Sequence, residues 1–130
     1  MKNNKVGKII VPVGMKPWSQ EMRVAEILAM AGHNVRFLEE SNLHTADILL
    51  DGAEFEIKSP KSANANSLEH LLKKALRQSP NIIIDTSRTN NFNNVNIKKI
   101  LISQVKKRKQ IKKLIMITKR GQVVGISSEI

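Results

Sequence analysis

Residues 45–60 read TADILLDGAEFEIKSP, and this stretch decides what the chain folds into. Asp51-Gly52 is one of the strongest short hairpin signals, and it sits between two short strands, Ala46–Leu50 and Glu54–Ser59. Successive side chains on a strand alternate between faces, so Glu54, Glu56 and Lys58 share one face while Phe55 and Ile57 take the other. The turn folds the first strand back antiparallel and so brings Asp47 beside Glu56 and Lys58. Two carboxylates and a lysine at the open end of a hairpin can hold a divalent cation and a reactive water. The lysine can orient or deprotonate that water, or neutralise charge building on a phosphate. Such a site hydrolyses a phosphodiester without cysteine or histidine. The string alone is common by chance, and a surface hairpin with solvated charges would carry it too. The strand–turn–strand context, with Ile48, Phe55 and Ile57 at the apolar alternate positions, makes it specific.

Outward from the hairpin, both flanks read as alternating helix and strand. Lys8–Val13 is apolar but holds Pro12, which predicts an edge strand or an extended lead-in within residues 1–18. Ser19 reads as the N-cap of a helix carrying Met22, Ala25, Ile27, Leu28 and Met30, with Gly32 closing it. Asn34–Leu38 alternates as a strand. After the hairpin, Pro60–Ser67 is a small, polar loop, and Ser67 reads as the cap of a helix to about Gln78. Asn81–Asp85 (NIIID) is a continuous apolar strand ending in an acid, the pattern of a buried central strand. An Asn-rich connection leads to a basic helix over Val95–Lys109, and Leu114–Thr118 and Val123–Ile126 close as a hairpin around Arg120-Gly121. The expected fold is α/β, with an α+β mixed sheet in one domain over residues 1–130 and its core over 19–130.

Composition narrows the function. Across 130 residues, 41% are hydrophobic and 25% charged, the make-up of a globular chain. There are no cysteines, which removes disulfides, thiolate metal sites and cysteine nucleophiles. No apolar run approaches the roughly 20 residues of a spanning helix, and the N-terminus has no apolar signal-peptide core. The chain thus predicts neither membrane association nor conventional export. Its formal net charge of +11 points to a polyanionic partner, of which nucleic acid is the commonest. The acids are clustered: eight of eleven lie between Glu21 and Glu56, and none lies between Thr86 and Ser128. That second stretch holds Lys98, Lys99, Lys106, Lys107, Arg108, Lys109, Lys112 and Lys113 among its cations. Carboxylates gathered in one segment and lysines in another suit a metal-dependent nuclease, in which one set holds cations and the other the phosphate backbone.

The residues around this hairpin resemble the core of the PD-(D/E)xK nuclease superfamily, a restriction-endonuclease-like fold. More narrowly, they are similar to the C-terminal tRNase toxin domain of contact-dependent growth inhibition proteins of the CdiA type. The likeness rests on Glu21, Gly32–Val35, Thr45–Ile48, Glu56–Pro60, Ala75–Ser79 and Ile82–Asp85. Ala46 departs from it by standing where the superfamily places Pro. The resemblance implies that Asp47 and Glu56 are metal-holding carboxylates, that Lys58 is the catalytic lysine, and that Gln78 assists beside them. It also implies a further carboxylate from the first helix. Glu21 and Glu26 compete for that place, and the resemblance favours Glu21. Asp85 either faces the site or caps a loop, and the second reading is preferred. Thr45 and Ser59 flank the site and can hydrogen-bond phosphate or a neighbouring strand. His33, His44 and His70 show no metal-ligand spacing.

The function that this resemblance implies is that of a metal-dependent ribonuclease toxin domain. It would cleave tRNA in the cytoplasm of a target cell and be neutralised by a cognate immunity protein. The cation expected is Mg²⁺, with Mn²⁺ or Zn²⁺ as alternatives. Lys61, Lys106, Lys107, Arg108, Lys109 and Lys112 are the expected nucleic-acid contacts. With 3% aromatic residues and no Tyr, binding should use phosphate contacts and shape rather than base stacking, which suits a folded RNA. The alternatives are a DNA-cleaving nuclease of the same fold and a non-catalytic basic binding module.

Overall fold

The computed structural model describes residues 5–39, 46–90 and 92–127. Its seven strands form one mixed sheet whose spatial order is the sequence order. They are β1 (Ile9–Ile10), β2 (Val35–Phe37), β3 (Ile48–Leu50), β4 (Ala53–Lys58), β5 (Asn81–Asp85), β6 (Lys113–Ile117) and β7 (Val123–Gly125). Three helices accompany them: α1 (Ser19–Met30), α2 (Ala65–Leu76) and α3 (Asn94–Lys107). Strands β2, β3 and β4 make an antiparallel meander, β4, β5 and β6 run parallel, and β7 turns back antiparallel on β6.

The two crossovers, β4–α2–β5 and β5–α3–β6, step in the same direction across the sheet. Crossovers are right-handed, so both helices land on one face. Their apolar stripes (Leu68 and Leu72 of α2, Ile97 and Leu101 of α3) pack on Ile82, Ile84, Leu114 and Met116. Helix α1 covers the other face, where Val24, Ala25 and Leu28 meet Phe37, Ile48, Phe55, Ile57, Ile83 and Ile117. Strand β5 therefore has fully buried isoleucines on both faces, which explains its unbroken apolar run.

Most expected elements are present, with shifted ends. The lead-in becomes the short edge strand β1, parallel to β2. Ser19 is not the cap of α1: Trp18 is extended there, and its carbonyl accepts from Met22 N, so the helix begins one residue early. Helix α2 starts at Ala65 because the Asn64 side chain accepts from Ser67 N, placing Ser67 inside the first turn. Asn93 does the same for α3, which ends at Lys107 where Arg108 turns extended. At the hairpin, Asp51 and Gly52 both take positive φ (49° and 89°), the geometry whose twist matches the flanking strands. Thr45 and His44 lie outside the described residues.

Candidate active site

The hairpin register places the chemistry. Ile48 pairs with Phe55 and Leu49 with Glu54, which carries Asp47 level with Glu56 on the adjoining strand. Phe55 and Ile57 point into the α1 core, so Glu56 and Lys58 take the opposite face by alternation. Asp47 is held by the backbone: its N–H donates to Phe55 O (3.1 Å), and its Oδ2 accepts from Ile57 N (2.7 Å). One carboxylate oxygen is thereby fixed, and the group lies within hydrogen-bonding reach of Glu56. Lys58 Nζ stands 3.1 Å from Glu56 Oε2. The hairpin thus brings Asp47, Glu56 and Lys58 together, as the sequence predicts.

Glu56 is a buried carboxyl, only 3% exposed, and its Oε1 has no hydrogen-bond partner. Burial raises its pKa, and the adjacent Asp47 charge raises it further against the opposing pull of Lys58, to about 8. Below that pH Glu56 holds its proton. An orphaned buried oxygen beside a fixed carboxylate is a donor set that a hard cation fits, because oxygen ligands are what Mg²⁺ takes. Among the described residues no group of three or more His, Asp or Glu side chains is placed to hold a metal ion. Asp47 and Glu56 thus form a two-carboxylate set. Glu21 lies half-buried in the first turn of α1 and completes no three-carboxylate metal group among the described residues.

A second cluster lies at the C-terminal ends of β4 and β5, immediately beyond Lys58. Asp85 is fully buried and supplied with donors: Arg23 Nη1 (2.9 Å), Ser59 Oγ (3.1 Å), Ser87 N (3.1 Å) and Ser87 Oγ (3.0 Å). It caps the loop after β5, as preferred from the sequence, and also anchors α1. The arginine that pairs with it was not foreseen. Arg23 and Asp85 lie 62 residues apart, and no local pattern links them. Gln78 sits at the end of α2, its N–H donating to Ala75 O.

Of the expected nucleic-acid contacts, Lys61 is exposed in the loop after β4, and Lys106, Lys107, Lys109 and Lys112 are exposed. Arg108 is committed elsewhere: it donates to Gln104 Oε1 (2.9 Å) and pairs with Glu69 Oε2 (3.1 Å), clamping α3 to α2. Lys112 N donates to Pro80 O, so this basic run sits at the N-terminal ends of the parallel strands, opposite to Lys58. Phe37 and Phe55 are core residues, which leaves Trp18, 75% exposed, as the prominent surface aromatic among those described. No helix of the described residues is long and apolar enough to cross a membrane.

The fold is similar to that of the CdiA-CT/CdiI toxin and immunity complex from Burkholderia pseudomallei, with a TM-score of 0.71. That match covers 92% of this chain and 98% of the other at 19% identity, a likeness of fold. No curated protein matches the sequence. The sequence pattern of the contact-dependent growth inhibition CdiA C-terminal domain matches residues 44–123, which contain the hairpin, Asp85 and the basic helix. The chain belongs to the contact-dependent growth inhibition CdiA C-terminal domain family.

Proposed function

We propose that the chain is a metal-dependent ribonuclease of the PD-(D/E)xK type, a growth-inhibiting toxin that cleaves tRNA in the target-cell cytoplasm and is held in check by a cognate immunity protein. The observation that carries this reading is Glu56. It is buried, has one oxygen without a hydrogen-bond partner, and lies between Asp47 and Lys58. A protein gains nothing in stability from such a carboxyl, so its use is to take a cation. Asp47 and Glu56 would hold Mg²⁺, which keeps several waters and needs only one or two carboxylates. When bound, the cation supplies Lewis-acid stabilisation of the charge developing on the phosphate. With a cation on Glu56, Lys58 would no longer be needed to offset that carboxyl and could turn its ammonium toward the phosphate or the attacking water. Asp47, fixed through Ile57 N, keeps the pair in register while substrate comes and goes.

The scarcity of surface aromatics favours a folded RNA, gripped by its phosphates, over an unstacked single strand. The immunity partner is proposed from family membership and from the similar fold, whose complex contains one. Purified protein incubated with tRNA and with plasmid DNA, with Mg²⁺ and with excess chelator, tests the reading. Cleavage of tRNA that stops in chelator and with Lys58→Ala is expected. Full cleavage in chelator would end the metal mechanism, and cleavage of plasmid in preference to tRNA would make the enzyme a DNase.

A further inference from the structure

The sequence directs attention to the lysine-rich end of α3, yet that run lies at the N-terminal ends of the parallel strands. The opposite end, where Lys58 leaves β4, has its own cation. We infer that Arg88 is a substrate-contacting residue that binds a backbone phosphate next to the scissile one. This deepens the nuclease reading and rests on it.

Three observations carry the assignment. First, Arg88 Nη1 lies 3.4 Å from the carbonyl oxygen of Ser59, the residue directly after Lys58. Its guanidinium therefore docks one residue along the strand from the catalytic lysine. Second, its charge is not spent. The buried carboxylate at this end, Asp85, is paired with Arg23 and with the hydroxyls of Ser59 and Ser87. Arg88 makes no ion pair among the described residues, and no acid follows in sequence until Glu129. Third, it is held on a rigid turn. Thr86 N and Oγ1 both donate to Ile117 O, Thr89 N and Oγ1 both donate to Thr86 O, and Ser87 N donates to Asp85. Both threonines are buried. An arginine on such a base loses little freedom when it closes on a phosphate, and its planar fork suits bidentate contact.

The test compares Arg88→Gln with an exposed arginine on β2, Arg36→Ala, as the control for losing one charge. Glutamine keeps a polar amide but carries no charge. Binding of unfractionated tRNA is measured across a salt series in a Glu56→Gln background, where substrate is not consumed, and KM and kcat are measured separately with Glu56 intact. Arg88→Gln should weaken binding roughly fivefold to tenfold and lower the salt slope by about one unit, raising KM with kcat within about threefold. Arg88→Lys should recover the salt slope. A loss no greater than that of Arg36→Ala, a slope that Arg88→Lys fails to recover, or a fall in kcat with KM unmoved would overturn the assignment. The last result would make Arg88 a brace for Ser59. If wild type and Glu56→Gln are equally inert on tRNA, it is the nuclease reading that fails, while the binding comparison still reports on Arg88.

Discussion

Two buried carboxyls sit on neighbouring strands of this sheet and are treated in opposite ways. Asp85 is completely buried, paired with Arg23 and given three further hydrogen bonds. Glu56, almost as deeply buried, has one lysine, an oxygen with no hydrogen-bond partner, and a second carboxylate against it. Removing a charge from water is costly at either place. At Asp85 the protein offsets the cost and uses the group to tie α1 to the ends of β4 and β5. At Glu56 the cost is left standing, and the group is held neutral to about pH 8. Equal burial separates nothing; the supply of donors separates the brace from the uncompensated carboxyl.

The largest expected effect falls on the uncompensated side. Lys58→Ala should lower tRNA cleavage by a factor on the order of 10³, about 4 kcal/mol, with the melting temperature nearly unchanged. Cleavage at wild-type rate would place the chemistry elsewhere. Next is the compensated side: Asp85→Ala strands the Arg23 guanidinium and should destabilise the fold by about 3 kcal/mol, read by denaturant unfolding. A loss under about 1 kcal/mol would mean that Asp85 is no brace.

Glu56→Gln sharpens the contrast, because it should abolish cleavage and yet stabilise. The sign follows from protons. The folded state keeps the Glu56 proton up to about pH 8, whereas the unfolded chain releases it near 4.5. Between those values the folded state binds more protons, so wild-type stability falls as pH rises through the window. The glutamine variant lacks that fall. It should match wild type near pH 4 and already exceed it by about 2 kcal/mol at pH 6. A variant that is less stable at pH 8 would show Glu56 to be a structural group. The smallest effect is that of the cation. At a Mg²⁺ concentration about five times its dissociation constant, wild type should gain about 1 kcal/mol in thermal unfolding at pH 8, and the Glu56→Gln variant much less. Equal gains in both would detach the cation from this carboxyl.

Much of this arrangement was legible in the linear chain because it is local. Asp51-Gly52 forces a tight turn, and the alternation from Glu54 to Lys58 assigns faces, so Asp47, Glu56 and Lys58 must converge once the hairpin closes. The element order and the buried central strand Ile82–Ile84 follow from apolar patterning over a few residues. Helix starts shift by one to three positions, the most at α2, where Asn64 rather than Ser67 supplies the cap.

What only the assembled fold decided are the relations that span the sheet. The Arg23–Asp85 pair joins residues 62 apart through the packing of α1, and no periodicity encodes it. The withdrawal of Arg108 into the Glu69 pair, and the placing of Arg88 against the Ser59 carbonyl, depend on which face and which strand end each loop reaches. Charge and residue type are written in sequence, but whether a charge is spent on a neighbour or kept for a ligand depends on distances that only tertiary packing sets.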